Sequence, residues 1–255
     1  MKFIFTGTGT SQGVPVIGCK CEVCTSSDPR DERLRTSGVL EVNGKFFVFD
    51  TGPDFRRQML LNGIDVLDAV IFTHKHKDHT AGLDDVRAYN FLLRRDMDIY
   101  ANAATIEHLK REYYYIFETT DYPGLPRLKF HEIQAEPFSI GGVEFTPIPV
   151  MHKNLEVWGY RVKDFAYVTD ANFIPDASMQ KLQNLEVLVL NALRRSQHPS
   201  HFSLEEAIGI VEELRPRRAY FTHLSHLMGT HAATSELLPA GVHLAHDGLE
   251  LELGD

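Results

Sequence analysis

The chain has 255 residues, 43 % of them apolar by composition, and a formal charge of −9. This length supports one sizeable domain with a large core. No apolar run nears the roughly 18–20 residues that span a bilayer, and the net acidity argues against a general polyanion binder.

The N-terminus opens on a short strand, residues 2–5, running into a glycine-rich turn at 6–13. It lacks the long apolar stretch of a secretory signal, so a cytoplasmic location is expected. The turn also lacks the Gly-Lys-Ser/Thr ending of a phosphate loop and reads as a tight turn passing close to other backbone. Cys19, Cys21 and Cys24 follow, the only three cysteines of the chain. An odd, clustered set fits a metal site better than a disulfide framework. A tetrahedral zinc would need one more ligand, here a histidine from elsewhere, and would staple this segment onto the body of the fold.

Residues 35–41 and 45–49 read as paired strands around a turn at Asn43 and Gly44. Asp50 ends the second strand and is expected to support a metal loop by hydrogen bonding rather than to ligate. Residues 55–62 read as a helix closed by Gly63. An apolar run at 69–72 then reads as a buried strand. His74, His76, Asp78 and His79 follow it directly. Alternation along an extended chain lets His74 and His76 point the same way, and the following bend can present Asp78 and His79 beside them. Imidazole and carboxylate suit zinc, manganese or iron, and the compact spacing points to two adjacent ions.

Residues 83–95 and 105–117 read as helices, with a short strand at 98–101 between them and a mobile loop at 119–127. The tyrosines at 113–115 read as core or interface packing, and the aromatic segment 113–117 is a candidate dimer surface. The second half begins near residue 130, with a hairpin at 138–146 and further strands at 148–152, 160–162, 165–170, 187–190, 218–222 and 249–253. An amphipathic helix over 204–214 is capped by Ser203. His152, Asp170 and His223 each end an apolar run, as the loop ligands do. In sheets covered by helices, sites form at strand ends, and a carboxylate such as Asp170 can bridge two ions. Two sheet-plus-helix halves meeting at one cleft predict a single domain, 1–255.

This ligand set resembles that of the metallo-β-lactamase superfamily. The run from Thr8 to Pro15, the cysteine cluster, and the ending Thr222, His223, Leu224, Ser225, His226 resemble its PhnP-type cyclic phosphodiesterases. The resemblance implies an α/β fold, the αββα four-layer sandwich. It implies one ion on His74, His76, His152 and Asp170, and another on Asp78, His79, Asp170 and His223, with zinc or manganese as the metals. It implies a structural zinc on Cys19, Cys21, Cys24 and His226. His201 would protonate the leaving oxygen, with His198 as a nearby competitor and Asp78 counted among the catalytic residues.

The implied activity is hydrolysis of a small cyclic phosphodiester, such as a ribosyl 1,2-cyclic phosphate, by a water that two metals activate. A tRNA 3′-end endonuclease and a non-hydrolytic small-molecule binder of cofactor biosynthesis are the alternatives. Net acidity and the lack of a long basic insertion weigh against the nuclease. Neither a membrane nor nucleic acid is expected as a partner, and a second copy is a candidate partner, with oligomeric state left open by the sequence.

Overall fold

The computed structural model describes residues 1–118 and 122–254; part of the expected 119–127 loop lies outside them. The first sheet comprises β1 (Lys2–Gly7), β2 (Ser37–Val42), β3 (Lys45–Phe49), β4 (Ala69–Ile71), β5 (Met97–Ala101) and β6 (Leu128–Glu132). The second comprises β7 (Phe138–Ile140), β8 (Val143–His152), β9 (Leu155–Val162), β10 (Phe165–Val168), β11 (Val187–Asn191), β12 (Arg218–Thr222) and β13 (Val242–Leu244). The last strand, β14 (Glu250–Glu252), returns to the first sheet and pairs antiparallel with β1.

Helices α1 (Phe55–Leu61), α2 (Lys77–Thr80), α3 (Arg87–Leu93) and α4 (Ala103–Glu112) belong to the first half. Helices α5 (Asp176–Lys181), α6 (Leu204–Leu214) and α7 (His231–Ser235) belong to the second. No helix among the described residues is long and apolar enough to cross a membrane.

Alternation along the strands sorts apolar side chains into three cores. Phe3, Phe5, Phe47 and Phe49 of the first sheet meet Tyr160, Phe165 and Tyr167 of the second. The rings of Phe49 and Tyr167 stack at 4.9 Å. The intervening residues face outward: Ile4 and Val48 pack with Phe55, Met59 and Leu109, while Ala166 and Val168 pack with Met179, Ala207 and Val211. Each sheet thus carries helices on its outer face, which is the expected αββα sandwich.

Several boundaries differ from the sequence reading. The expected helix at 83–95 begins as a 3₁₀ turn, Leu83–Val86, and α3 stops where Arg94 turns left-handed at φ 54°. The helix expected through 117 ends at Glu112, and a 3₁₀ turn covers Tyr114–Ile116. Strands at 143–146 and 148–152 are one strand, β8. Helix α2, a single turn, lies where only a loop was expected, and α5, α7, β6 and β13 are too short to carry a periodic signal.

The N-terminal segment is tied to the end of the chain. Buried Arg33 donates to Thr8 Oγ1 at 2.8 Å and to the Ala245 carbonyl at 2.6 Å. Asp247 accepts from Thr8 Oγ1 and from the Leu34 amide, both at 2.7 Å.

Candidate metal centre

Strands β3, β4 and β5 run parallel, as do β10, β11 and β12, and their C-terminal ends deliver the polar residues to one edge of the sandwich. Asp50 follows β3, buried and left-handed at φ 64°. Its Oδ1 accepts from the Thr73 amide at 2.8 Å, and its Oδ2 from Thr73 Oγ1 at 2.7 Å. The same Oδ2 lies 2.7 Å from His79 Nδ1. Asp50 therefore spans from the end of β3 to the segment after β4 and to α2.

Backbone contact reinforces this link. The Thr51 amide donates to the His79 carbonyl and the Gly82 amide to the Thr51 carbonyl, both at 2.8 Å. A Cβ at Gly52 would sit 2.1 Å from the Asp78 carbonyl oxygen, so only glycine permits this approach.

The second half contributes Asp170 after β10 and His223 after β12, both left-handed, at φ 62° and 58°. Left-handed backbone at non-glycine residues costs energy and gathers at functional sites. Asn191, at the end of β11, clamps the residue after Asp170: its Oδ1 accepts from the Ala171 amide and its Nδ2 donates to the Ala171 carbonyl. His152 ends β8, with Nδ1 2.6 Å from the Ser200 carbonyl.

Each of four histidines is anchored through one ring nitrogen. His79 Nδ1 meets Asp50, His152 Nδ1 meets Ser200, His74 Nδ1 lies 3.0 Å from Thr73 Oγ1, and His223 Nε2 lies 3.4 Å from Thr10 Oγ1. The opposite nitrogens of His74, His79 and His223 are buried without a hydrogen-bond partner among the described residues. They converge on Asp170. Its Oδ1 lies 3.4 Å from His79 Nε2 and 3.2 Å from His223 Nδ1, and its Oδ2 lies 3.9 Å from His74 Nε2. Asp78 Oδ2 lies 3.4 Å from His79 Nε2.

A tetrahedral ion with bonds near 2.1 Å sets its ligand atoms about 3.4 Å apart. Asp78, His79, Asp170 and His223 fit that set, and unpartnered inward nitrogens are what such a site needs.

His74 and His76 lie beside one another with ring centroids 4.6 Å apart, and His76 lies 5.0 Å from His152. A second convergent set is His152, Asp170 and His201. His201 thus sits closer to the ligand cluster than a residue that only faces a substrate would. Its ring stacks on that of His223 at 4.8 Å, and its Nδ1 is buried without a partner among the described residues. His198 is less buried, with Nδ1 3.2 Å from Ser200 Oγ.

The charges of the cluster are strongly coupled. Burial opposes protonation of His79, but Asp170, Asp78 and Asp50 outweigh it and hold this imidazole well above its usual range. Burial likewise opposes ionisation of Asp170, which His223 and His79 hold well below the usual carboxylate range. Burial, reinforced by His79, keeps His74 well below the imidazole range. Burial and then His223 push His201 down to about 3. Carboxylates gathered around His79 in this way favour positive charge at that point, as a bound cation would supply.

A second candidate centre lies at the N-terminal segment. The sulfurs of Cys19, Cys21 and Cys24 lie 3.3, 3.4 and 3.5 Å from His226 Nδ1. Zinc with bonds near 2.3 Å to sulfur and 2.0 Å to nitrogen would set those atoms about 3.5 Å apart, so the set fits zinc. A hydrogen bond from the Cys24 backbone and then His226 push Cys21 down to about 6.

Beside the histidine cluster, Thr10, Ser11, Gln12, His198 and His201 help line a cleft of about 210 Å³. Arg194, also on its wall, donates to the Ser196 and Gln197 carbonyls, and Arg195 to that of Met228. The tyrosine stripe turns largely inward: Tyr113 Oη donates to the Thr80 carbonyl at 2.7 Å, and Tyr115 Oη bonds Asp84. Sequence reasoning missed Thr10, Thr73, Asn191 and Ser200. A hydroxyl or amide beside a strand-end ligand was the available signal.

A family profile described as "Beta-lactamase superfamily domain" matches residues 45–224. A crystal structure of a new diphosphatase from the PhnP family shares 43 % identity and superposes with a TM-score of 0.93, covering 99 % of this chain and 98 % of that one. An octanoyltransferase of Porphyromonas gingivalis is 38 % identical over 253 residues, 98 % of this chain but 51 % of that protein. A ribonuclease Z of Methanococcus maripaludis is 25 % identical over 204 residues, 76 % of this chain and 57 % of that protein. The chain thus spans about half the length of these two curated relatives, whose names describe longer proteins. A superfamily profile across most of the chain, with full-length similarity to a PhnP-family structure, establishes that the chain belongs to the metallo-β-lactamase superfamily of hydrolases and resembles its PhnP family.

Proposed function

We propose that the protein is a binuclear metal-dependent phosphoric diester hydrolase of a small substrate, with a ribosyl 1,2-cyclic phosphate as the representative case. The observation that carries this reading is the cluster around Asp170, where histidines anchored through one nitrogen turn the other, unpartnered, inward. His74, His76, His152 and Asp170 would hold one divalent ion. Asp78, His79, Asp170 and His223 would hold another, and Cys19, Cys21, Cys24 and His226 a structural zinc. The first half supplies His74 to His79 and the second His152 to His223, so residues 1–255 would act as one functional domain.

Divalent ions at the histidine cluster would supply a water ionised near neutral pH and stabilise charge on phosphoryl oxygens. The chain's own residues do the rest. Asp50 and the Ser200 carbonyl, which only accept, fix ring orientation and tautomer at His79 and His152, and Thr10 orients the ring of His223. The 210 Å³ cleft offers hydroxyl and amide groups from Thr10, Ser11 and Gln12, suited to a sugar-like group. Burial and then His223 favour the neutral form of His201. An anionic phosphate against its ring favours the imidazolium, which can then protonate the leaving oxygen.

Similarity to a PhnP-family diphosphatase supports phosphorus–oxygen bond hydrolysis more strongly than similarity to ribonuclease Z supports RNA cleavage, by identity and by coverage. The test is a substrate panel with metal-reconstituted protein: a five-membered ribose cyclic phosphate, an organic diphosphate, an aryl phosphodiester, a precursor tRNA and a β-lactam. Cleavage of the cyclic phosphate, lowered about 10²–10⁴-fold by His201→Ala, is the expected result. Cleavage of tRNA alone would replace this reading with the nuclease. Turnover of the diphosphate but not the cyclic ester would keep the site and change the substrate.

A further inference from the structure

Between β11 and α6 the chain makes one loop, residues 192–203, which carries His198, Ser200 and His201. Its neck is tied on both sides. The Leu193 amide donates to the Phe202 carbonyl and the Leu204 amide to the Arg194 carbonyl, both at 2.9 Å. The Phe202 amide donates at 2.8 Å to the carbonyl of Ala171, the neighbour of Asp170. The Ser225 amide, on the segment that follows His223, donates at 2.9 Å to the Leu193 carbonyl. The ends of the loop are therefore bound to the segments that bear Asp170 and His223.

Inside the loop, two side chains hold its own backbone. Arg194 Nε donates to the Ser196 carbonyl at 3.2 Å, and its Nη2 to the Gln197 carbonyl at 2.6 Å. No carboxylate pairs with this guanidinium among the described residues, so its charged donors are committed to the turn. His198 Nδ1 lies 3.4 Å from the Ser200 amide, which only donates, and 3.2 Å from Ser200 Oγ. Nδ1 is thus an acceptor, and the neutral ring carries its proton on Nε2. A side chain that accepts from the amide two residues on makes an Asx-type turn, here closed by an imidazole. Pro199, between the two, fixes φ in the same turn.

With its amide held from this side, Ser200 presents its carbonyl to His152 Nδ1 at 2.6 Å. A carbonyl only accepts, so His152 carries its proton on Nδ1 and keeps Nε2 bare for an ion. On the reading of the Asp170 cluster as a metal centre, we propose that Arg194 and His198 are positioning residues for His152. Arg194 shapes the turn, His198 fixes the Ser200 amide within it, and the Ser200 carbonyl sets the tautomer and ring angle of His152. His201 follows Ser200 directly, so the same hold fixes where its ring leaves the backbone. A proton on His198 Nδ1 would face the Ser200 amide, which suits this ring to holding the turn rather than to protonating a leaving group.

The test reads the tautomer of the His152 ring by nitrogen NMR in the metal-free, full-length protein, at a pH where free imidazole is neutral. Zinc affinity of the histidine cluster is measured beside it by chelator competition. The tautomer is read without metal or substrate, so its result stands apart from how many ions the cluster binds and from what the protein hydrolyses. Wild type should show the proton on Nδ1. His198→Ala and Arg194→Met should each give a mixture of tautomers and weaken zinc binding at the cluster about 10–100-fold. His198→Asn discriminates a positioning role from proton donation, because an asparagine accepts from the amide two residues on in the same way. That variant should restore both the tautomer and the affinity. Should His198→Ala fail to fold, Arg194→Met and His198→Asn decide alone. A wild-type His152 with its proton on Nε2 would overturn the proposal. So would wild-type tautomer and affinity in Arg194→Met, or a His198→Asn variant with mixed tautomers and weakened zinc binding.

Discussion

Asp50→Asn isolates the orienting role of one carboxylate. The substitution keeps the shape of the side chain, and asparagine tolerates the left-handed backbone at φ 64°. The amide oxygen can still accept from the Thr73 amide. The amide nitrogen then replaces Oδ2, which in the wild type faces Thr73 Oγ1 and His79 Nδ1 at 2.7 Å each. The Thr73 hydroxyl can rotate to accept a proton. His79 can accept one on Nδ1 only if its own proton sits on Nε2, the atom 3.4 Å from both Asp78 and Asp170. A protonated Nε2 cannot bind a cation. Changes to such supporting groups lower metal affinity about 10–100-fold, equivalent to about 1.4–2.8 kcal/mol. Chelator-buffered zinc titration should show this loss, with turnover falling in parallel and the melting temperature of the metal-free protein largely kept. Wild-type zinc affinity in a folded Asn variant would refute the claim that Asp50 sets the tautomer of His79.

Gly52→Ala should force the 50–52 turn away from the Asp78 carbonyl at a cost of about 1–3 kcal/mol, and metal content should drop with it. Unchanged melting temperature and metal content would show that the turn can yield freely. Cys24→Ser should remove one ion per chain by elemental analysis and lower the melting temperature, while the histidine cluster keeps its metals; an unchanged ion count would rule out the thiol set as a site. Burial pushes the Asp247 carboxyl up to about 6 from its ordinary 3.8. The folded state therefore binds this proton more tightly, so the stability that Asp247 contributes is fully present below about pH 4 and is lost as pH rises toward 6. Partial exposure reduces the effect to the order of 1–2 kcal/mol. Asp247→Asn should flatten that slope in denaturant titrations, and a slope that persists would place its origin elsewhere.

The convergence of the strand-end residues was legible because they combine two strong local signals: an apolar run and, directly after it, a residue type rare in such places. His74 after β4, Asp170 after β10 and His223 after β12 all read this way. The sheet assignment of those strands followed from the same runs. What escaped notice was short or tertiary. Helix α2 has one turn and no room for periodicity, and its geometry is imposed by Asp50 and the close approach at Gly52. Thr10 lies 213 residues from His223 in the chain, so nothing local marks the contact. The inward turn of Tyr113 and Tyr115 depends on polar atoms at Thr80 and Asp84, which helical spacing does not report.

The ties between the two ends of the chain also bear on how it is made. Strand β1 waits for β14, Thr8 for Asp247, and the cysteines for His226. A ribosome adding about 5–20 residues per second would leave the thiols of a nascent chain without His226 for on the order of ten seconds or more. Closure over so long a separation is slow in its own right. During that interval three thiols are open to oxidants and to competing soft metals. Translation speed and the reducing state around the ribosome thus become part of what determines the yield of correctly folded protein.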